Sequence, residues 1–506
     1  MINSSVRVRF APSPTGPLHI GGVRTALFNY LFAKKHNGTF ILRIEDTDEE
    51  RYVDGAEKYI IDSLKWLGIT PDEGQDFGGE YGPYRQSERK PHYAQYAQKL
   101  IASGNAYYAF DTADELKTER EKAEAKGESF IYNHKTRGEL KNSLSLTTEQ
   151  TLELLDNNTP YVIRFKMPND RKLKTNDTIR GEVEFDCALL DDKVLLKTGG
   201  MPTYHLANIV DDYTMKISHV IRGEEWLSSL PLHVLLYESL GWLDAKPEFA
   251  HLPLILKPVG KGKLSKRDGE KMGFPVFPLK WEKGGAVSAG FKEDGYLPDA
   301  VVNMLALLGW SPGTDQEIFD LDELCSAFSM EQISKAGAKF SPDKAKWFNH
   351  QYISKSENTK LIPFINNVLF EKGINTDDNY TDKVLALVKE RITLLPDFWE
   401  QAHFFYLAPS TYDTKTVEKR WKEDTSEKLL KIADIISTTS GNDASTTKNV
   451  FSEFMNASGW NFGAIMNPMR IALVGSNAGP DLFDIIATIG TEEAVSRIRT
   501  ACKKLG

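Results

Sequence analysis

The sequence predicts an α/β domain of the Rossmann type that carries an α+β insertion and is followed by an all-α C-terminal region. Three observations lead to this fold class. A strand–loop–helix–strand pattern opens the chain, short alternating segments interrupt it between residues 111 and 197, and apolar residues recur at helical spacing from about residue 335 onward. Hydrophobic period is the main signal of secondary structure in a sequence.

The N-terminal segment indicates a parallel sheet. Residues 6–10 alternate apolar and charged side chains, as a strand does, and the Pro/Gly/Ser-rich residues 11–22 predict a loop. Residues 23–36 have one apolar face and predict a helix, and 39–44 predict a second strand that ends at the acidic run 45–48. Such a βαβ unit belongs to a parallel sheet, whose ligands bind beyond the carboxyl ends of the strands.

The middle of the chain has a mixed character. A charged stretch at residues 114–127 predicts a helix, and the alternating segments 161–165 and 182–185 predict strands. We therefore expect 111–197 to be an insertion that interrupts the sheet. The α/β pattern resumes at 205–210, 217–223 and 230–240, and a glycine- and lysine-rich loop follows at 260–269.

The last third of the chain is predicted to be helical. Three sets of apolar residues recur at helical spacing: Val384, Val388, Ile392 and Leu395; Leu429, Ile432, Ile435 and Ile436; and Val495, Ile498, Cys502 and Leu505. Glu492 and Glu493 begin the last helix, where the helix dipole favours acidic residues. The expected segments are the two halves of the Rossmann domain at 1–110 and 198–255, the insertion at 111–197, a loop-bearing region at 256–334 and the helical region at 335–506.

Composition restricts the class of protein. The chain has 506 residues with a formal net charge of −9, 41% hydrophobic and 26% charged residues, which is typical of a globular protein with real cores. The net negative charge argues against indiscriminate coating of nucleic acid but allows local basic patches. Only three cysteines are present, far apart, which excludes a disulfide framework and suits the cytoplasm. No apolar run is long enough to cross a bilayer, so we expect no membrane partner.

The loop at residues 12–22 has the composition of a phosphate-binding loop. Gly21 and Gly22 open the predicted helix and, without Cβ atoms, let a ligand approach the backbone. The N–H groups at a helix N-terminus attract phosphate. His19 can donate a hydrogen bond to a phosphate oxygen as charge develops on it. A glycine-rich turn with a surface histidine is the alternative, which the position of the run between strand and helix disfavours.

Lys263 and Lys266 lie in the second glycine-flanked loop. Ammonium groups on flexible stems act as mobile point charges for polyphosphate, and the flanking glycines suggest a loop that closes over substrate. Alone, this loop could be a solvated basic segment. In one α/β unit with the histidine–glycine loop, it predicts a polyphosphate site.

These two loops resemble the HIGH and KMSKS signatures of class I aminoacyl-tRNA synthetases. Five further segments are similar to those of bacterial glutamyl-tRNA synthetases: RFAPSPTG at 9–16, RIEDTD at 43–48, GPYRQSER at 82–89, PTYHLAN at 202–208 and VIRGEEW at 220–226. The resemblance covers the catalytic half densely. It continues more thinly through FSPDKAKWFN at 340–349 and the helical tail.

The resemblance implies a Rossmann catalytic domain, an insertion that binds the tRNA acceptor stem, and a helical region that binds the anticodon. The implied activity is ATP-dependent ligation of L-glutamate to tRNA(Glu) in two steps through glutamyl-adenylate. The closest alternative is a non-discriminating form that also glutamylates tRNA(Gln). No protein nucleophile is needed, because positioning and charge stabilisation suffice for this chemistry.

The resemblance also assigns residues to the two substrates. Arg9 and Arg222 match the arginines that bind the carboxylates of glutamate, and guanidinium grips a carboxylate bidentately. Glu45 matches the residue that meets the substrate ammonium. Ser13, Tyr204 and Asn208 match polar residues that complete the pocket.

For catalysis, His19 and Gly21 are expected to contact the triphosphate, and Lys266, assisted by Lys263, the leaving pyrophosphate. The expected ATP-binding residues are Ala11, His19, Gly21, Glu225, Trp226 and Lys266. Mg²⁺ is expected to accompany ATP.

Two features depart from the family pattern. Some relatives carry a structural zinc in the insertion, but the matching stretch here reads YYAFD at 107–111, without thiolates, and His134 alone cannot form such a site. We therefore expect no structural zinc and no metal-binding residue. The segment 271–290 is longer than expected. It could cover the active site, contact the acceptor stem, or have no functional role.

The candidates for tRNA contact are Arg85 and Arg89 near the base of the insertion, with Trp347 and Arg391 in the helical half. Lys and Arg would contact phosphates, and aromatic rings would stack on unpaired bases. Arg391 appears at the place of an arginine linked in the family to the third anticodon base; an exposed helical arginine is an equal alternative.

Other classes fit the sequence less well. A small-molecule nucleotidyltransferase, an enzyme that glutamylates a modified tRNA base, or a glutaminyl enzyme would not need this helical tail of the bacterial glutamyl type. A non-catalytic RNA-binding scaffold would not need His19, Lys263 and Lys266. We expect a cytoplasmic monomer.

Overall fold

The computed structural model describes residues 5–439 and 443–506. The chain divides into two compact units. The first comprises Met1–Phe291 and Val301–Pro342, and the second Lys292–Ala300 and Asp343–Gly506. Within the described residues, no helix is both long and apolar enough to cross a membrane.

The first unit contains the strands. They are β1 (Arg7–Phe10), β2 (Thr39–Leu42), β3 (Glu73–Gly74), β4 (Ala106–Ala109), β5 (Val162–Phe165), β6 (Lys172–Asp177), β7 (Gly181–Asp186), β8 (Val194–Leu196), β9 (His219–Gly223), β10 (Glu248–Leu252), β11 (Ile255–Leu256), β12 (Trp281–Lys283), β13 (Ala286–Ser288) and β14 (Ala338–Lys339). The helices up to residue 327 are α1 (Ile20–Lys35), α2 (Ala56–Trp66), α3 (Lys90–Ala102), α4 (Ala113–Ala125), α5 (Thr148–Asp156), α6 (Tyr204–Thr214), α7 (Leu230–Ser239), α8 (Lys266–Met272), α9 (Pro298–Ala306) and α10 (Leu321–Ala327).

The central sheet is parallel, and its strands β3, β2, β1, β9 and β10 follow the order of a Rossmann fold. Strands β1, β2 and β3 pair in that order, and β9, β10 and β6 pair in parallel as a second group. The two groups meet where the Ser218 backbone N–H donates to the Arg7 carbonyl at 2.9 Å. The resulting order is β3-β2-β1-β9-β10-β6. In such sheets, ligands bind at the switch point between the two halves, here between β1 and β9.

Helix α1 follows β1 through the glycine-rich loop, as predicted. Val23, Leu27 and Leu31 are buried on one face, and the helix begins where the Nδ1 atom of His19 accepts the Gly21 N–H at 3.2 Å. A Cβ atom on Gly22 would lie 2.6 Å from the Leu18 side chain, so only glycine fits this first turn without a shift. The loop therefore brings backbone N–H groups to the carboxyl end of β1.

The expected insertion is only partly separate from the central sheet. Strands β4, β5 and β8 form an antiparallel sheet of their own, and α4 begins with a capping box at Thr112. Strand β6, however, pairs in parallel with β10, and β7 pairs with β6. The alternating pattern shows that a segment is a strand, but not which sheet it joins.

The second unit is helical. Its helices are α11 (Pro342–Lys355), α12 (Asn358–Glu371), α13 (Asp378–Val388), α14 (Asp397–Tyr406), α15 (Thr414–Arg420), α16 (Thr425–Ser437), α17 (Ala444–Ser458), α18 (Phe462–Val474), α19 (Leu482–Ile489) and α20 (Thr491–Leu505). Buried Leu429, Ile432 and Ile436 on α16 share a core with Val495 and Ile498 on α20. Both predicted helices are therefore present.

The helical spacing from Val384 to Leu395 does not mark one helix. Helix α13 ends at Val388, and residues 389–391 form a 3₁₀ turn. The Asp397 carboxylate then accepts the Leu394 N–H at 2.7 Å, which favours the start of α14. Ile392 and Leu395 are buried in the same core without being helical, so their spacing reflects burial rather than a helix.

Candidate active site

A cavity of about 560 Å³ opens at the carboxyl ends of β1 and β9. The predicted residues that line it are Arg9, Ala11, Ser13, His19, Gly21, Glu45, Tyr204, Asn208, Arg222, Glu225, Trp226 and Lys263. They come from segments up to about 250 residues apart in sequence. The fold therefore brings both predicted substrate groups, the amino-acid pocket and the phosphate loop, to one cavity.

Arg9, at the end of β1, is held by an acidic residue that the sequence analysis missed. Its Nε and Nη2 atoms donate to the two carboxylate oxygens of Asp212 at 3.0 and 3.2 Å. Arg43 donates to the same carboxylate at 2.7 Å. The pKa of Asp212 lies below its usual value: burial alone would raise it, but the two guanidinium groups outweigh that effect.

Glu45 completes this buried cluster of charges. Its Oε1 atom accepts hydrogen bonds from Arg43 at 2.9 Å and from the Asn208 amide at 3.2 Å. Burial raises the pKa of Glu45, against the opposing effect of Arg43 and Arg9. Within residues 5–439 and 443–506, no hydrogen-bond donor meets Oε2, so this oxygen is available to a cationic group in the cavity.

Helix α6 supplies one face of the pocket. Tyr204, Asn208 and Asp212 are spaced four residues apart, which places them one above another on a helix. The segment 202–208 that resembles the family contains the first two residues and ends before Asp212. This spacing is the signal that could have found Asp212.

Arg222, at the end of β9, lies among uncharged hydrogen-bond acceptors. Its guanidinium donates to the Tyr204 hydroxyl at 2.8 Å, to His233 Nδ1 at 3.2 Å and to His251 Nε2 at 3.0 Å. A fourth contact, at 3.3 Å, is to the Trp226 carbonyl. The guanidinium is thereby oriented along the cavity wall. The two histidines carry no motif that singles them out in the sequence.

His19 presents a hydrogen-bond donor. Because its Nδ1 atom accepts the Gly21 N–H, the proton of the neutral ring is at Nε2. This Nε2 atom is buried and has no hydrogen-bond partner among the residues that the structure describes. Burial, and secondarily Lys263, lowers the pKa of His19 to about 4, so the ring is neutral near pH 7. The arrangement can donate one hydrogen bond to a phosphate oxygen.

The two lysines of the basic loop are placed differently from each other. Lys263 lines the main cavity, where its ammonium group meets the Glu225 carboxylate at 2.8 Å. Burial tends to raise the pKa of Glu225, but the hydrogen bond from Lys263, a backbone hydrogen bond and the charges of Lys263 and Arg24 together outweigh it and lower that pKa. Lys266 lies outside this lining and belongs instead to the first turn of α8.

The basic loop is shorter than predicted. The sequence predicts a loop over 260–269, but α8 begins at Lys266 because Ser265 and Asp268 form a capping box, with Ser265 Oγ donating to Asp268 at 2.6 Å. Gly269 is therefore helical, and it is buried beneath Phe274 and Val276. The helix holds Lys266 at its N-terminal end, where the ammonium group faces Glu270 at 3.5 Å.

The long segment after the basic loop forms a hairpin beside a second cavity. Strands β12 and β13 pair in antiparallel fashion, and Trp281 packs edge-on against Tyr59 with ring centroids 5.1 Å apart. The cavity, of about 630 Å³, is lined by His19 and Lys266 together with Trp281 and Lys283. The hairpin therefore lies near the phosphate loop.

The tRNA-contact candidates have unequal surroundings. Arg89 is 5% exposed, and its guanidinium donates to Asp211, Thr214 and two backbone carbonyls. The guanidinium donors of Arg89 are therefore used inside the fold, and its contact with tRNA stays a prediction. Arg85 is partly exposed and paired with Glu57 and Glu88.

The two candidates in the second unit are accessible. Trp347 is half-buried on α11, with the Lys344 ammonium 3.7 Å from the centre of its ring. Arg391 is exposed after α13 and lies close enough to Arg470 to lower the pKa of that side chain, together with the larger effect of burial. Two neighbouring arginines provide a local positive charge on a chain that is negative overall.

No structural metal site is evident in the residues that the structure describes. None of their His, Cys, Asp and Glu side chains cluster in groups of three or more that could hold an ion. Cys187, Cys325 and Cys502 are all free thiols.

Comparisons with known proteins agree with this architecture. The family model for the catalytic domain of class I tRNA synthetases (E and Q) matches residues 5–347, and an anticodon binding domain model matches 358–502. Glutamate–tRNA ligases of Christiangramia forsetii and Flavobacterium johnsoniae are 56% and 55% identical to the chain, over 100% of both sequences in each case. A crystal structure of a glutamate tRNA ligase from Elizabethkingia meningosepticum in complex with its amino acid is 51% identical, with a TM-score of 0.97 over 99% of this chain and 100% of that one.

These matches confirm the predicted fold class, a class I catalytic domain followed by a helical anticodon-binding region. They do not favour the non-discriminating alternative. The chain belongs to the glutamate–tRNA ligase family of class I aminoacyl-tRNA synthetases.

Proposed function

We propose that the protein ligates L-glutamate to tRNA(Glu) with consumption of ATP, through a glutamyl-adenylate intermediate. One observation carries the proposal: Arg9, Arg222 and Glu45 line a single cavity with the Nε2 donor of His19. Two guanidinium groups and one carboxylate are complementary to the two carboxylates and one ammonium of glutamate. An apolar amino acid would leave the buried charge of Arg222 without an ionic partner and the Oε2 atom of Glu45 without a donor.

In the first step, the α-carboxylate of glutamate attacks the α-phosphorus of ATP, and pyrophosphate leaves. Arg9 and Arg222 bind the carboxylates of glutamate, and Glu45 receives the ammonium at its Oε2 atom. Ser13, Tyr204 and Asn208 complete the pocket. Tyr204 is supported in this role by its hydrogen bond to Arg222, and Asn208 by its bond to Glu45.

Charge on the phosphate oxygens is stabilised by His19 and the N-terminus of α1. The Nε2–H of His19 donates to a phosphate oxygen, and the Gly21 region lets the triphosphate approach the backbone. Lys263 and Lys266 bind the leaving pyrophosphate. For Lys263 this requires exchange of its Glu225 partner for phosphate, which the 56% and 44% exposure of the two side chains permits. Ala11, Glu225 and Trp226 bind the adenosine.

Mg²⁺ enters with ATP in this proposal. The described residues offer no preformed protein cage for it, so the nucleotide phosphates are its main ligands. In the second step, the ribose 2′-OH of the terminal tRNA adenosine attacks the carbonyl carbon of glutamyl-adenylate, loses its proton and displaces AMP, which leaves an ester bond to the tRNA. The expected segment 111–197 contacts the acceptor end, with Arg85 near its base, and the region 335–506 contacts the anticodon, with Trp347 and Arg391 as candidates.

We further propose that the protein acts as a monomer in the cytoplasm, where tRNA and ATP are available. Its three free cysteines are consistent with a reducing compartment.

Aminoacylation tests the proposed function directly. Radiolabelled glutamate, ATP and Mg²⁺ are supplied with purified tRNA(Glu) or tRNA(Gln) in parallel. Charging of tRNA(Glu) alone is the expected result. Charging of both would identify the non-discriminating form and remove Arg391 as the discriminating residue, and charging of neither by folded protein would refute the proposal.

Arg222→Ala tests the amino-acid pocket. We expect the KM for glutamate to rise by roughly 10²-fold, since a buried charge-assisted contact is lost, while the KM for ATP changes little. An unchanged KM for glutamate would remove Arg222 from the pocket.

A further inference from the structure

The surroundings of Arg222 differ from those of the other arginines near the cavity. Arg9 and Arg43 both contact the Asp212 carboxylate. Within the described residues, Arg222 makes no ion pair: its partners are a hydroxyl, a carbonyl and two imidazole nitrogens. Since Arg222 is only 5% exposed, its charge is neither neutralised by the protein nor well hydrated.

The hydrogen bonds determine the tautomers of both histidines. A guanidinium has donors only. The two ring nitrogens that face it, His251 Nε2 and His233 Nδ1, must therefore be unprotonated and accept its hydrogen bonds. Each ring is then neutral with its proton on the other nitrogen. His251 donates from Nδ1 to Asp177 at 2.6 Å, and His233 donates from Nε2 to His205 Nδ1 at 3.3 Å.

Asp177 fixes the tautomer of His251. Its Oδ1 atom accepts the backbone N–H groups of Ile179 at 3.0 Å and Arg180 at 2.8 Å, with a longer contact of 3.4 Å from His251. These bonds orient the carboxylate so that Oδ2 faces the imidazole. Asp177 is the last residue of β6. It is fully buried and does not line the cavity.

We propose that Asp177, His251 and His233 are positioning residues for glutamate binding, which hold Arg222 through neutral acceptors so that its charge is left for a substrate carboxylate. This inference rests on the proposed function. Asp177 supplies a negative charge one imidazole away from Arg222, where it cannot compete with the substrate for the guanidinium. A carboxylate in direct contact with Arg222 would compete with the substrate carboxylate for the guanidinium.

The pKa values of the histidines agree with this arrangement. Burial, followed by the charge of Arg222, lowers the pKa of both His233 and His251. Asp177 opposes the shift for His251 but does not reverse it. Both rings are therefore neutral acceptors near pH 7.

Asp177→Asn isolates the tautomer effect. The amide oxygen would keep the backbone bonds at the Oδ1 position, which leaves the amide nitrogen facing His251 Nδ1. Nδ1 of His251 must then be unprotonated to accept from this amide, so the ring proton moves to Nε2. There it would face the Arg222 Nε–H, and two donors would oppose each other. We expect the KM for glutamate in pyrophosphate exchange, measured with tRNA present, to rise about 10- to 100-fold, and the KM for ATP to stay within about twofold.

Asp192→Asn is the matched control. Asp192 is also fully buried and accepts hydrogen bonds from Tyr107, Arg137 and a backbone N–H, but none of these is among the hydrogen-bond partners of Arg222. It should lower stability without changing the ratio of the two KM values. A merely structural role for Asp177 predicts the same behaviour in both variants.

A pair of His251 variants gives a second test that does not depend on the folding of Asp177→Asn. Gln can place an acceptor at the Nε2 position and a donor toward Asp177, whereas Leu can do neither. We expect the KM for glutamate of His251→Gln to lie at least about fivefold below that of His251→Leu. Equal values in folded variants would overturn the inference, as would an unchanged KM in Asp177→Asn. Wild-type protein that fails to exchange pyrophosphate with glutamate would instead refute the proposed function.

Discussion

Asp212→Asn removes the buried negative charge that two arginines share. The carboxylate accepts from Arg9 at 3.0 and 3.2 Å and from Arg43 at 2.7 Å, and its side chain is 1% exposed. Asn keeps the shape but replaces one oxygen by an NH₂ group. Because guanidinium groups are donors only, that NH₂ group must face another donor. The cluster also gains one net positive charge where water cannot reach it.

The expected cost is large compared with typical protein stability. Removing one partner of a buried ion pair destabilises by about 3–5 kcal/mol, out of a total of roughly 5–15 kcal/mol for a domain. The pH dependence has a definite sign. Since the folded-state pKa of Asp212 is lowered, its contribution is complete above the unfolded value of about 4 and is lost as the pH falls through the folded pKa. The decrease in the free energy of unfolding of Asp212→Asn should therefore reach its full size at neutral pH.

Urea denaturation near pH 7 measures the effect. Because the chain has two compact units, two transitions are possible, and only the transition of the unit that contains Asp212 should move. Asp244→Asn makes the same chemical change at an exposed site and should stay within about 0.5 kcal/mol of wild type. A loss below about 1 kcal/mol for Asp212→Asn would refute the reasoning, because the arginines would then not depend on this charge.

Three further predictions concern the phosphate site and the expected absence of zinc. Lys266→Ala should lower the rate of adenylate formation by roughly 10²-fold while leaving glutamate binding nearly unchanged; equal losses in pyrophosphate exchange and in equilibrium glutamate binding would contradict the assigned role. Since the pKa of His19 is lowered to about 4, His19→Asn should reduce exchange by a similar factor at every pH from about 5.5 to 8, and a reduction that changes across this range would show that His19 titrates there. Incubation with a chelator should leave the melting temperature of the free protein unchanged, and a fall of several degrees would reveal a structural metal.

The sequence was sufficient to predict the residues that line the cavity, but not those that hold them. Arg9, Glu45 and Arg222 lie in segments whose letters resemble a known family, and the parallel sheet brings those segments together. Asp177 and His251 contact each other across 74 residues and lie in no recognised motif. Arg43 is completely buried, although arginine is rarely buried unless paired, so its burial could not be expected without its partners.

The limits of periodicity explain the remaining differences in the fold. An apolar residue every three or four positions indicates one buried face, and α16 and α20 have that spacing because they are continuous helices. Ile392 and Leu395 have it because separate turns reach the same core. Likewise, Ser265 and Asp268 have the spacing of a capping box, which marks the start of a helix. The glycines of the basic loop led instead to the prediction of a loop over 260–269.

The two substrate-binding arginines are held by acidic residues in two different ways, and this difference separates two phenotypes. Asp212 contacts Arg9 directly, so its loss leaves a buried charge unpaired and should lower stability as well as glutamate binding. Asp177 contacts Arg222 only through His251, and in Asp177→Asn every backbone hydrogen bond to Oδ1 can persist. Its loss should therefore raise the KM for glutamate with a smaller fall in stability. If Asp212→Asn and Asp177→Asn lost stability and glutamate binding in equal proportion, the contact of Asp177 with Arg222 through His251 would act no differently from a direct ion pair. The distinction between the two arginines would then be wrong.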